Sequence, residues 1–359
     1  RSEPGKRAFS SVRMDGSRRS AILIGSVPLK TTEEVFRLSA KHLSGFVHQF
    51  PDGEVGTRDY WIRCQREYFA ANDALYIPDD AKADGPVRPG FQLRPGRSIE
   101  DVSFPDIGYS RFANESFQTF KRLKLEGIFS SDAKFQVSLP TPLAPSWGFS
   151  SKVNGFWKEI EAIYEQAMFR EVSKLCALIP HRELVIQWDV CYEMALYDDE
   201  LKDFPLDTVG TRQDIYDRIA RCANSVPESV DIGFHLCYGD IGHKHFQDPS
   251  SISSAVSLAN GISSTTDRSI LWIMMPVPKS QTHNEEFFKP LANLQLSDET
   301  SLYLGLIHMT DGVDGAKKRI RTAERYYPNF GICTECGLGR RPPETIPDLM
   351  KLHADCVAL

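Results

Sequence analysis

The stretches "ELVIQWDV" (183–190) and "VDIGFHLCYG" (230–239), with a helix-forming segment near 211–224 between them, decide how this chain folds. Both are apolar almost without interruption. A strand with one wet face alternates apolar and polar residues, whereas a strand covered on both faces does not. These two therefore read as parallel strands of a covered sheet.

The same alternation continues outward in both directions. Upstream lie "AILIGS" (21–26), the helix "TTEEVFRLSAKHL" (31–43) begun by a threonine cap, and "GFVHQF" (45–50). A turn "PDGEVG" and a helix from about 57 to 71 follow, then an excursion over 76–101 rich in Pro, Gly and charge. A strand pattern near 102–109, "KFQVSLP" (134–140) and a helix around 155–178 complete that half. Downstream come a helix near 251–260, "SILWIMMPV" (269–277), a short helix near 284–292, "SLYLGLIH" (301–308), and helices near 312–326 and 344–356. Eight βα units in 359 residues predict an α/β protein, a single (β/α)8 TIM barrel over 20–359 with loop insertions and a flexible N-terminal segment 1–19. That segment is basic and Ser-rich and reads as a leader or remnant, with Met14 as an alternative start.

Composition narrows the function. With 41% hydrophobic and 25% charged residues the chain can bury a sizeable core. The net charge of −6, without a domain-wide basic stripe, argues against nucleic acid. No run of eighteen apolar residues exists, so no membrane span is expected. Eight cysteines are too few for a disulfide scaffold at this length. Cys176 and Cys191 sit in apolar or helical patterns where thiols behave as small hydrophobes, so a reducing, cytoplasmic setting is expected.

In a barrel, chemistry gathers at the C-terminal strand ends. Polar residues there include Gly25 and Ser26, Asp52 to Glu54, Thr141, Gln187 and Asp189, His235 and Cys237, His308 to Asp311, and Cys333 with Cys336. His235 and Cys237 are two apart and point to one side of a regular strand. Cys333 and Cys336 have the C-x-x-C spacing that wraps a metal, and imidazole with thiolates suits Zn2+. Buried, satisfied side chains are the alternative reading.

"FHLCYGD", "LVIQWD" and "TECGLGRR", together with "IGSVP", "FVHQFPDGEVGTRDYW" and "SLPTPLAPSW" in the same order over roughly 20–345, resemble the motifs of the cobalamin-independent methionine synthase family, within the superfamily containing uroporphyrinogen decarboxylase. The resemblance implies a (β/α)8 barrel and a zinc ion on His235, Cys237 and Cys336, with Cys333 outside the pattern. It implies a zinc-held substrate thiolate that attacks an alkyl carbon. Asp189 matches the acid that receives the substrate's amino group, and Glu54 falls near a second such acid. Gly25 and Ser26 match a substrate-contacting pair, and Trp147 resembles the aromatic on which a pterin stacks. Thr141 belongs to the same substrate rim. His308 stands near the proton-donating histidine, with Thr310 at the aligned position; Asp311 either orients His308 or caps the next helix. His243 and His245 read as surface-loop histidines.

The pattern also breaks. "SILWIMMPVP" carries no acidic ligand, Val190 and Cys191 replace the usual "EP", and one barrel stands where methionine synthases have two. The expectation is therefore a zinc-dependent transferase moving a methyl or other alkyl group to or from a small-molecule thiol, with an already activated alkyl donor, rather than a full methionine synthase. A zinc-dependent lyase or hydrolase, and a non-catalytic barrel with a closed zinc on His235, Cys237, Cys333 and Cys336, are the alternatives. A homodimer is compatible with such a chain.

Overall fold

Seven parallel strands make the central sheet. The structure, a computed structural model, describes residues 19–78, 90–150, 156–201, 206–240 and 245–359. The strands are β1 (Gln49–Pro51), β2 (Lys134–Pro140), β3 (Leu184–Val190), β4 (Asp231–Leu236), β5 (Trp272–Pro276), β6 (Ser301–Ile307) and β7 (Phe330–Thr334). They pair in chain order, each parallel to the next, in one curled sheet. The intervening helices lie outside, and the first, Thr32–Leu43, packs against the last, Ile346–Val357. Thr31 caps that first helix by accepting from the Glu34 N–H at 3.2 Å.

The expected count of eight is not reproduced as ladders. "AILIGS" makes only isolated parallel bridges, Ala21 to Ile332 on β7 and Ser26 to Gly53 beyond β1. Gly25, at φ +107, breaks the extended run. Residues 102–109 form no strand: Pro105 offers no N–H, Gly108 turns at φ +83, and a helix starts at Tyr109. Its place in the count belongs to β7, whose Gly331 and polar-looking Cys333 conceal a strand. The helix expected over 57–71 is two 3-10 turns (Gly56–Arg58 and Trp61–Cys64) and a short helix, Gln65–Ala70. The excursion closes at its base by antiparallel pairing of Leu75–Tyr76 with Gln92–Leu93. Residues 1–18 lie outside the described chain. Arg19 is part of the body, buried, with its guanidinium on the Phe330 carbonyl at 2.8 Å and paired with Glu324.

Strand side chains alternate between two faces. Ile186, Trp188, Ile232, Phe234 and Leu236 face outward into the large core shared with the helices. The inward face is divided by strand. On the β5–β7 side Trp272, Met274, Tyr303 and Cys333 join Ile22 and Ile24 in a small apolar cluster. Gly233, in register with Trp272, makes room for it: a Cβ there would lie 2.1 Å from the indole. Facing this wall, β1 to β4 contribute Gln49, Gln136, Gln187, Asp189 and His235, all buried. Among the described residues no helix is long and apolar enough to cross a membrane.

Candidate metal centre

The polar half is wired in one line. Gln49 Nε2 donates to Gln136 Oε1 at 2.9 Å, and Gln136 Nε2 donates to Gln187 Oε1 at 2.9 Å. Gln187 Nε2 donates to Asp189 Oδ1 at 2.8 Å. Asp189 and His235 are register partners on β3 and β4, and His235 Nδ1 lies 2.9 Å from the same oxygen. An ionised carboxylate only accepts, so Nδ1 carries a proton, and Nε2 is the nitrogen that a neutral ring would present to a cation.

That nitrogen faces two thiols. His235 Nε2 is buried without a hydrogen-bond partner among the described residues. Cys237 Sγ is 3.6 Å from Cys336 Sγ, and one ligand atom from each of His235, Cys237 and Cys336 lies within 4.8 Å of the others. One imidazole and two thiols, converging with an orphaned nitrogen, fit a tetrahedral zinc with a fourth position left for another ligand. Without a cation the thiols stay protonated. Cys191 beside it, and burial, hold the Cys237 thiol well above its usual range against a lowering influence from Cys336. Cys237 and burial do the same to Cys336. Burial disfavours the His235 imidazolium, but Asp189 and Cys336 outweigh it and raise the group to about 10. A bound divalent cation would invert all three tendencies.

Cys333 does not join them. Its side chain is fully buried in the apolar cluster, and the closed four-ligand alternative loses its fourth ligand. C-x-x-C spacing wraps an ion only on a turn; here Cys333 is still on β7, and Cys336 lies past its end.

A small cleft lies on the Trp61 side of Asp189, lined among others by Asp52, Glu54, Arg58, Trp61, Cys64 and Tyr109. Asp52 pairs with Arg58 at 2.8 Å. Burial and the nearby Asp189 raise the Glu54 carboxyl to about 8. Trp61 reaches across the rim, its Nε1 donating to Asp189 Oδ2 at 3.0 Å. Trp147 and Tyr192 meet edge to face at 5.1 Å, and Tyr192 stacks with Trp61 at 6.1 Å.

The remaining expected residues are engaged otherwise. Ser26 ties down the turn after Cys336: its Oγ accepts from Gly339 N–H at 3.3 Å and its carbonyl from Leu338 N–H at 2.7 Å. Gly25 lies so close to Ser138 that a Cβ would approach its hydroxyl to 2.8 Å. Thr141 is buried against Asp189, its N–H 3.5 Å from that carbonyl. His308 Nε2 donates to the Val277 carbonyl at 2.8 Å, and burial lowers the ring to about 3. Asp311 neither caps the following helix with its side chain nor hydrogen-bonds His308; it forks onto buried Arg319 at 2.7 and 2.8 Å. His243 lies outside the described residues. His245 is no surface-loop histidine: its side chain is 3% exposed, 3.0 Å from Asp248 and 3.3 Å from Glu335.

No protein-family model and no curated protein matches the sequence. Among solved structures, the chain is similar to a B12-independent methionine synthase from Shewanella sp. W3-18-1, solved in complex with selenomethionine. The TM-score is 0.58 at 15% identity, over 94% of this chain and 96% of that one. At that identity the likeness shows the fold: α/β, with a curled parallel sheet.

Sequence reading missed Trp61, Gln136 and Glu335. Gln187 was legible, since it stands two before Asp189 and shares its face. Trp61 closes the motif "FVHQFPDGEVGTRDYW", but no periodicity gave it a role, because it opens a short 3-10 turn.

Proposed function

We propose that this protein is a zinc-dependent transferase that moves a methyl or other alkyl group to or from a small-molecule thiol. The observation that carries the reading is the convergence of one ligand atom each from His235, Cys237 and Cys336, with His235 Nε2 buried and without a hydrogen-bond partner among the described residues. His235, Cys237 and Cys336 would hold the ion, whose charge would keep a substrate thiol deprotonated near neutral pH. Asp189 keeps the imidazole in the tautomer that presents Nε2. The cleft beside it offers Glu54, Trp61 and Tyr109 to the substrate. Cys333, Met274 and Trp272 wall off the opposite side and exclude water there. We further infer that residues 20–27, bridging β7 to the segment after β1, stand as the eighth stave of a closed barrel.

The test is metal content and thiol alkylation measured together. Purified protein should hold about one zinc per chain and accelerate transfer between a thiol and at least one activated alkyl donor, such as an epoxide or a sulfonium. Zinc-loaded protein that alkylates no thiol across such a panel would refute the assignment.

A further inference from the structure

Asp189 is crowded. Its Oδ1 accepts from Gln187 Nε2 at 2.8 Å and His235 Nδ1 at 2.9 Å, and its Oδ2 accepts from Trp61 Nε1 at 3.0 Å. A carboxylate offers about four acceptor positions, so three are filled before any substrate arrives. The residue is 6% exposed. An incoming ammonium, with three N–H groups to satisfy, would find one lone pair.

Nor are the three donors loosely placed. Gln187 cannot turn its amide, because Oε1 already accepts from Gln136. His235 is held on its strand in register with Asp189. Trp61 comes from a segment in which Glu54, Tyr60 and Trp61 itself all adopt left-handed backbone, at φ 51, 63 and 55. Such residues persist only where their surroundings over-determine them. The Trp61 hydrogen bond and its stacking on Tyr192 are what this segment gains at its inner end.

From this occupancy we infer that Asp189 aims His235 at the metal and takes no ammonium from the substrate, Trp61 filling that position, so the site accepts thiols that carry no amino group there. The inference rests on the metal site of the proposed function and names its substrate class. Trp61 and Gln187 are positioning residues: they fix the carboxylate, which fixes the imidazole, as carboxylate–histidine pairs do around zinc generally.

Cobalt(II)-loaded protein tests it without alkyl transfer. Metal affinity is measured by competition with a chelator, and thiol binding by the sulfur-to-cobalt charge-transfer band. Asp189→Asn should weaken metal binding about 10- to 100-fold, the usual range for such supporting groups. Trp61→Phe, which keeps the ring and removes only the N–H, should weaken it several-fold and shift the cobalt d–d bands, with the melting temperature as a folding control. The two thiols are homocysteine and its amine-free counterpart, 4-mercaptobutanoate. Both variants should change the two affinities in parallel, within about twofold. Unchanged metal affinity in Asp189→Asn would overturn the inference, and so would a loss of about tenfold or more confined to homocysteine. If neither thiol binds, the substrate class named here is overturned, and the metal arm still decides whether Asp189 aims His235. Absence of alkyl transfer by protein that passes these tests would remove the proposed function and leave this inference standing.

Discussion

Cys333 and Cys336 lie on one short stretch of chain and have opposite surroundings. Cys333 ends among Ile22, Ile24, Trp272, Met274 and Tyr303, where a thiol serves as a small apolar filler. Cys336 ends 3.6 Å from Cys237, in the group with His235, whose Nε2 is buried without a hydrogen-bond partner among the described residues. The difference comes from where the strand stops. β7 runs to Thr334, so Cys333 keeps the inward direction that a strand imposes, while Cys336 is released onto the rim. Residue type did not separate them; the end of a ladder did.

The largest expected effect breaks this pair apart. Cys237→Ser or Cys336→Ser should each remove most of the bound zinc, because a hydroxyl is a poor partner for a borderline-soft ion, while Cys333→Ser keeps full occupancy. Elemental analysis after dialysis reads all three, and equal loss in Cys333→Ser would restore the closed four-ligand site.

Next in size is Asp311→Ala. The change strands the buried Arg319 guanidinium and should cost about 3–5 kcal/mol in denaturant unfolding, with zinc content unchanged. Near-wild-type stability with lost activity would return Asp311 to the catalytic role its place beside His308 suggested.

A smaller effect depends on pH. Glu193 is buried on the helix that follows β3, and neither carboxyl oxygen has a hydrogen-bond partner among the described residues. Burial raises it from 4.5 to about 7. A raised folded value contributes stability that is complete below pH 4.5 and fades as pH climbs through 7. Glu193→Gln does not titrate, so between pH 5 and 8 the parent should lose up to about 3 kcal/mol relative to the variant. Parallel stability curves for the two proteins would contradict this.

Smallest is the stability cost of Cys333→Ser itself, on the order of 1 kcal/mol for placing a hydroxyl in an apolar cluster without a partner. A variant as stable as the parent would show that the hydroxyl finds an acceptor there.

These regions also differ in how much of them could be read beforehand. The covered strands were legible in "ELVIQWDV" and "VDIGFHLCYG", since nearly continuous apolar runs have few other uses. The pairing of His235 with Cys237 followed from a period of two. "FGICT" was not legible as a strand, because five residues with a glycine and a cysteine look like a turn motif. Trp61 and His245 reach their partners from irregular segments, where only tertiary contact decides direction. Asp189 was legible as a rim acid and Gln187 as its neighbour on the same strand, but Trp61 and His235 reach it from other parts of the chain, and no local pattern announces them as its donors.

The amide line from Gln49 to Asp189 has a grammar of its own. Each glutamine hands its N–H to the next oxygen, and the last word is a group that can only receive. That terminus dictates the sense of every link before it. Turning one amide over would set oxygen against oxygen on one side and nitrogen against nitrogen on the other, so the links must hold or fail as a set. A side chain at the start of β1 thereby takes part in aiming a nitrogen on β4 that it never touches.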